Sequence, residues 1–305
     1  MVKDANRTTI VTVIAGDDGS STSPESMHIQ YWTKSTTAAN TAACEPNSSF
    51  MSHTDNDVAT WDTPGLLAPP ATPVLFGDTT NVAPLGASIS FAGPRHGYLV
   101  VGFAETTNGN DDEASGYWVE IDLANGGAHG DIAINSDNND DGNFSSVNSE
   151  NSLQAVTVTG SLNQDPERPV VFWPPSVVSS VFTVTPLGTV MLNSDNNTAV
   201  FQVFNSDGVQ GAYDRNENGI DGTVPQTVRC VGRLTPAQLM PGVVANAAWA
   251  AQGGWGILAN IGDGDTNSES NTIDLDAMVY QVDTSTAAGV GKFMQNATRI
   301  VSSNN

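Results

Sequence analysis

Asp137, Asn139 and Asp141 stand at alternate positions in the stretch INSDNNDDGNFSS (residues 134–146), and Gly142 follows at once. This D-x-N-x-D-G spacing is the front half of an EF-hand-type calcium loop. Side chains at alternate positions of a tight curl converge on one point, and glycine permits the bend that brings later carbonyls round. A calcium ion takes roughly six to eight oxygens, which Asp and Asn supply. The twelfth position, where such loops place a bidentate glutamate, is Asn148, with Glu150 two residues beyond. The stretch YDRNENGIDG (213–222) repeats the logic with Asp214, Asn216 and Asn218, then Gly219 and Asp221. A third acidic run (262–276) offers Asp263 and Asp265, with Asp274 and Asp276 behind them. Asp111, Asp112 and Glu113 lack the spacing and read as a solvated turn. Asn, Asp and Gly also build ordinary turns, because they tolerate left-handed backbone and bond their own main chain. The expectation is Ca2+ at the Asp137, Asp214 and Asp263 loops, set between strands because no helical pattern flanks them.

A second pattern concerns catalysis. In YWVEIDLANG (117–126), Glu120 and Asp122 lie two apart in a strand-like run, so both project from one face. The E-x-D resembles the core of the laminarinase-type glycoside hydrolases, which are jelly rolls with three acids at alternate positions. The resemblance covers five residues, and the third acid position holds Ala124. Retaining hydrolysis needs a nucleophile and an acid/base about 5 Å apart, so that chemistry is incomplete here. No G-x-S-x-G elbow, P-loop, dinucleotide fingerprint or HExxH is present. His28, His53, His96 and His129 are scattered. No catalytic residue is assigned, and the expectation is that the protein is not an enzyme.

Charge sets the class of partner. The 305 residues hold 10 Lys+Arg against 33 Asp+Glu, a net charge of −23, yet charged residues are only 14% of the chain. That field repels phosphate backbones and anionic lipid, which argues against nucleic acid and membrane-surface partners, and it attracts cations. No run of apolar residues is long enough to span a bilayer. Cys44 and Cys230 lack CxxC spacing, so a thiolate zinc site is not indicated. In an oxidising compartment the two would form one long-range disulfide. The start, MVKDANRTTIV, has no apolar core of a signal peptide. With the Asn/Ser/Thr/Gly-rich composition, the chain reads as a mature extracellular or cell-surface form.

Such loops need a scaffold, and the chain offers strands. Runs such as TTIVTVIAG (8–16), GYLVVGFAE (97–105), GYWVEIDL (116–123), VVSSVFTVT (177–185), TVRCVG (227–232) and GWGILAN (254–260) are rich in β-branched and aromatic residues. Further runs fall at 86–93, 152–162 and 188–193. Helical signals are short: TPAQLMPG (235–242), with Thr235 capping and Pro236 first, and GVVANAAWAAQ (242–252). The expected fold is all-β, an antiparallel sandwich or jelly roll with long Asn/Asp/Gly-rich loops and one or two short helices. One elaborated domain over 1–305 is expected, with a weak boundary near 163–176.

The first strand run carries neither charge nor proline between Thr8 and Gly16, so it must be covered on both faces. A central strand meets that need. So does a terminal strand (residues 1–16) donated to the next subunit, which would build a homopolymer. Trp32, Trp118 and Trp173 sit in strand runs and read as core, whereas Trp249 and Trp255 are candidates for exposure. The function expected is a calcium-stabilised extracellular structural protein of a filament, surface layer or matrix. The alternatives are a glycan-binding module and a laminarinase-like hydrolase.

Overall fold

Thr, Ile and Val fill every position from Thr8 to Ile14, and this run becomes β2 (Arg7–Ala15). Its branched side chains suit a pleated ladder and lose conformational freedom in a helix. In the computed structural model, placements are described for residues 1–15, 25–53, 58–62, 74–76, 93–104, 114–122, 126–132, 170–175, 178–186, 198–205, 209–261, 277–285 and 291–296. The strand runs expected at 86–93, 152–162 and 188–193 lie outside the described residues, apart from Gly93. Every strand pairing among the described residues is antiparallel, so the fold is all-β and sandwich-like.

The chain divides into two compact units, one of residues 1–38 and 44–156, the other of 39–43 and 157–305. In the first unit, β1 (Val2–Lys3), β7 (Arg95–Ala104), β3 (Glu25–Ser35) and β4 (Glu45–His53) form one sheet in that order. The other sheet runs β6 (Val74–Phe76), β5 (Val58–Asp62), β2, β8 (Ala114–Asp122), β9 (Gly127–Ile132). The first strand run is therefore central: β2 pairs with β5 on one edge and β8 on the other. Thr9, Val11 and Val13 on one face and Thr8 and Thr12 on the other are all buried. Thr9 ties its face to β1, where Oγ1 accepts from Val2 N–H at 2.8 Å.

In the second unit, β14 (Gly219–Ile220), β13 (Ala212–Asp214), β17 (Gly254–Asn260), β12 (Thr198–Phe204) and β15 (Gln226–Arg229) form one sheet, with β10 (Val170–Trp173) also on β17. The facing sheet is β16 (Gly232–Leu234), β11 (Val178–Pro186), β18 (Ala277–Ser285), β19 (Gly291–Asn296). Phe182, Val184 and Val279 from this sheet meet Phe201, Val203 and Leu258 from the other, all fully buried, in one core. The run TVRCVG is two strands, not one. The chain leaves the first sheet after Arg229 and enters the second at Gly232, turning at Cys230 with φ +65° and a Val231 N–H to Arg229 C=O bond of 2.8 Å. A positive φ at a side-chain-bearing residue costs about 1–3 kcal/mol, so the surroundings must hold it.

Three short helical segments follow: α1 (Pro236–Leu239), α2 (Pro241–Ala245) and α3 (Ala247–Gln252). The apolar stretch 242–252 is divided between the second and third of them by a break at Asn246. At α1, Gln238 Oε1 accepts from the N–H of Thr235 at 2.9 Å, closing the start of the helix. No helix among the described residues is long and apolar enough to cross a membrane.

Candidate functional site

Cys44 and Cys230 form a disulfide, and both are buried. The connection between β3 and β4 carries Asn40, which the second unit incorporates with residues 39–43. Asn40 C=O accepts from Arg229 N–H at 2.9 Å. Its side chain takes Arg233 N–H on Oδ1 and gives Nδ2 to Arg233 C=O, both at 3.0 Å. The segment before Cys44 and the turn at Cys230 are thus held by three hydrogen bonds as well as the covalent link. A formed disulfide belongs to a non-reducing environment.

The loop at Asp214 connects β13 to β14, and its geometry can be tested against a cation. Asp214 Oδ1 accepts the backbone N–H of Asn216 at 2.7 Å and of Asn218 at 2.9 Å, while Oδ2 accepts Asn218 Nδ2 at 2.8 Å. The backbone closes too, Asp214 N–H donating to Asn218 C=O at 3.0 Å. Asp214 is buried, opposite Gly254 of β17, although residues 215–219 beside it are all exposed. The Asn218 side-chain bond, opposed by burial and joined by the backbone donors of Asn218 and Asn216, holds the carboxyl below the ordinary aspartate value. Asn216 Nδ2 donates elsewhere, to Gln252 Oε1 at 2.8 Å.

Calcium needs converging oxygens. Here the carboxylate faces three N–H donors, and the Asn218 amide cannot be reversed without setting its oxygen against Asp214. Asp221 is exposed beyond the hairpin. As folded, this loop does not fit a cation; it is a turn satisfied by its own amides. Among the described residues no group of three or more His, Cys, Asp or Glu is placed to hold a metal ion. Asp137, Asn139, Asp141, Asp263 and Asp265 lie outside the described residues.

Glu120 and Asp122 do share a face of β8, the one that carries Val11 and Thr9 on β2. That face packs inward. Asp122 is buried across from Arg7, and Glu120 lies across from His129 of β9, Nε2 to Oε2 3.7 Å. The Trp118 ring meets the His129 ring edge-on at 5.9 Å between centroids. His129 was not anticipated: a two-residue turn at Asn125-Gly126 would set Glu120 opposite Asp131, whereas four residues separate the paired Asp122 and Gly127, and that register sets Glu120 opposite His129.

Among the tryptophans, Trp32 and Trp173 are buried as expected, while Trp118 and Trp255 are half-buried. The Trp249 side chain lies outside the described residues. No known family, curated protein or solved structure matches the chain.

Proposed function

We propose that the protein is an extracellular structural subunit, an all-β chain that assembles with copies of itself into a filament, surface layer or matrix. The observation that carries this reading is the buried Cys44–Cys230 bond, which braces the chain for a non-reducing exterior. The composition agrees: few charged side chains, and polarity drawn from Asn, Ser, Thr and Gly. Assembly leaves β2 in place, because donating it would break its ladders to both β5 and β8. Calcium stabilisation is proposed for the loops at Asp137 and Asp263, and not for the Asp214 turn. A net charge of −23 repels itself in a compact chain, and bound cations relieve that.

The test combines electron microscopy with thermal melting in calcium and in EDTA. Ordered polymers in calcium, and a lower melting temperature in EDTA that Asp137→Ala reproduces and Asp214→Ala does not, are expected. Isolated particles in both solutions sink the structural reading. Identical melting in both solutions sinks the calcium reading alone.

A further inference from the structure

One row of side chains in the second unit has no part in its core. The first turn of β17 lies between β10 and β13, in the register Phe172 opposite Trp255 and Trp255 opposite Tyr213. Cross-strand partners share a face, so three aromatic residues stand in line across three strands spaced about 4.8 Å apart. Phe172 is 44% exposed, and Trp255 and Tyr213 are half-buried. The Tyr213 and Trp255 rings lie 5.0 Å apart and only 33° from parallel. Phe172 turns its N–H and C=O away from β17, to the Gln281 side chain at 3.1 and 2.6 Å. That makes Phe172–Trp255 a non-hydrogen-bonded pair, the kind in which side chains approach most closely.

The row is held from below. A Cβ at Gly254 would fall 2.4 Å from the Trp173 indole and 2.1 Å from Tyr213 O. The bare glycine lets Trp173 pack beneath the sheet while Trp255 stands above it. Beside the same strand ends, the Asn216–Gln252 pair uses one atom of each amide. The others, Asn216 Oδ1 and Gln252 Nε2, make no bond among the described residues.

We propose that Phe172, Trp255 and Tyr213 form a binding shelf for a neutral polysaccharide. Flat rings stack on the C–H faces of pyranoses, and neutral amides match sugar hydroxyls. Charge selects the class. Arg215 and Glu217 on the adjoining turn are both exposed and offset each other, while the chain's −23 repels polyanions. A second protein is a poor occupant, because stable interfaces bury roughly 1,200 Å² or more and this row is three side chains wide. The inference is independent of the polymer reading, since an assembling or a solitary chain could carry the shelf.

Native electrophoresis through gels containing hydroxyethylcellulose, laminarin or galactomannan tests it. Wild type is expected to be retarded in at least one gel. Trp255→Ala and Phe172→Ala should weaken retardation about tenfold or more, while Tyr117→Ala, an exposed aromatic of the first unit, leaves it unchanged. Far-UV circular dichroism confirms that the variants fold, and exposed Phe172 serves if Trp255→Ala does not. Free migration of wild type in all three gels overturns the proposal. So does retardation indifferent to both substitutions, or self-association lost in Phe172→Ala without any retardation by glycan.

Discussion

Replacing both cysteines with serine should separate the contribution of the covalent link from that of the segment's hydrogen bonds. Cys44 and Cys230 close a loop of about 190 residues, and chain entropy alone credits such a link with about 5 kcal/mol. The structure argues for less. Asn40 makes three hydrogen bonds to Arg229 and Arg233 that survive the substitution, each worth about 1 kcal/mol net. Part of the closure is therefore kept without the sulfurs. Relief of the positive φ at position 230 does not follow, because serine there bears a side chain too. A loss of about 2–5 kcal/mol is expected, which at about 2–4 °C per kcal/mol lowers the melting temperature by about 5–20 °C. Denaturant titration of the double variant against wild type, each with and without reductant, reads this. Because both sulfurs are buried, reductant should act on native wild type only slowly. A loss under about 1 kcal/mol, or two reactive thiols in unreduced, denatured wild type, would refute the reasoning.

Three other outcomes follow from the same structure. The depressed Asp214 carboxyl stabilises the turn fully above the ordinary aspartate value, and that contribution is lost as pH falls through the lower folded value; stability–pH curves of wild type and Asp214→Ala should converge only in acid. Deleting residues 1–16 should abolish the fold of the first unit, since β2 is paired along both edges, and a well-dispersed NMR spectrum of the truncated unit would contradict this. Gly254→Ala sets a methyl against backbone at Tyr213 and against Trp173, so its cost should fall at the top of about 1–3 kcal/mol in chemical denaturation.

Strands with branched and aromatic residues were legible. GWGILAN coincides with β17, and the runs at 8–16 and 177–185 match β2 and β11 to within a residue at each end. Those whose residues lack that preference were not. EPNSSFMSH becomes β4 and GAHGDI becomes β9 because β3 and β8 offer them long ladders, not because of their own propensity. The break at Cys230 was hidden, as nothing in TVRCVG marks a positive φ. At the candidate sites, Asn218 and the backbone of Asn216 meet Asp214 while the Asn216 side chain turns to Gln252, and spacing cannot say whether a carboxylate will face a cation or its own amides. The aromatic row escaped notice because Phe172, Trp255 and Tyr213 come from three distant segments that only register aligns.

Gln281 and Asn40 share an unusual role: each carboxamide gives and takes one backbone hydrogen bond, at Phe172 and at Arg233, as a neighbouring strand would. A side chain thus stands in for a peptide group along β10 and β16. This has a chemical lifetime. Hydrolysis of either amide would replace its N–H donor with an acid oxygen, so that Phe172 C=O or Arg233 C=O met another acceptor instead of a donor. In a long-lived protein, the loss of either nitrogen would leave an edge unfastened and open to another chain.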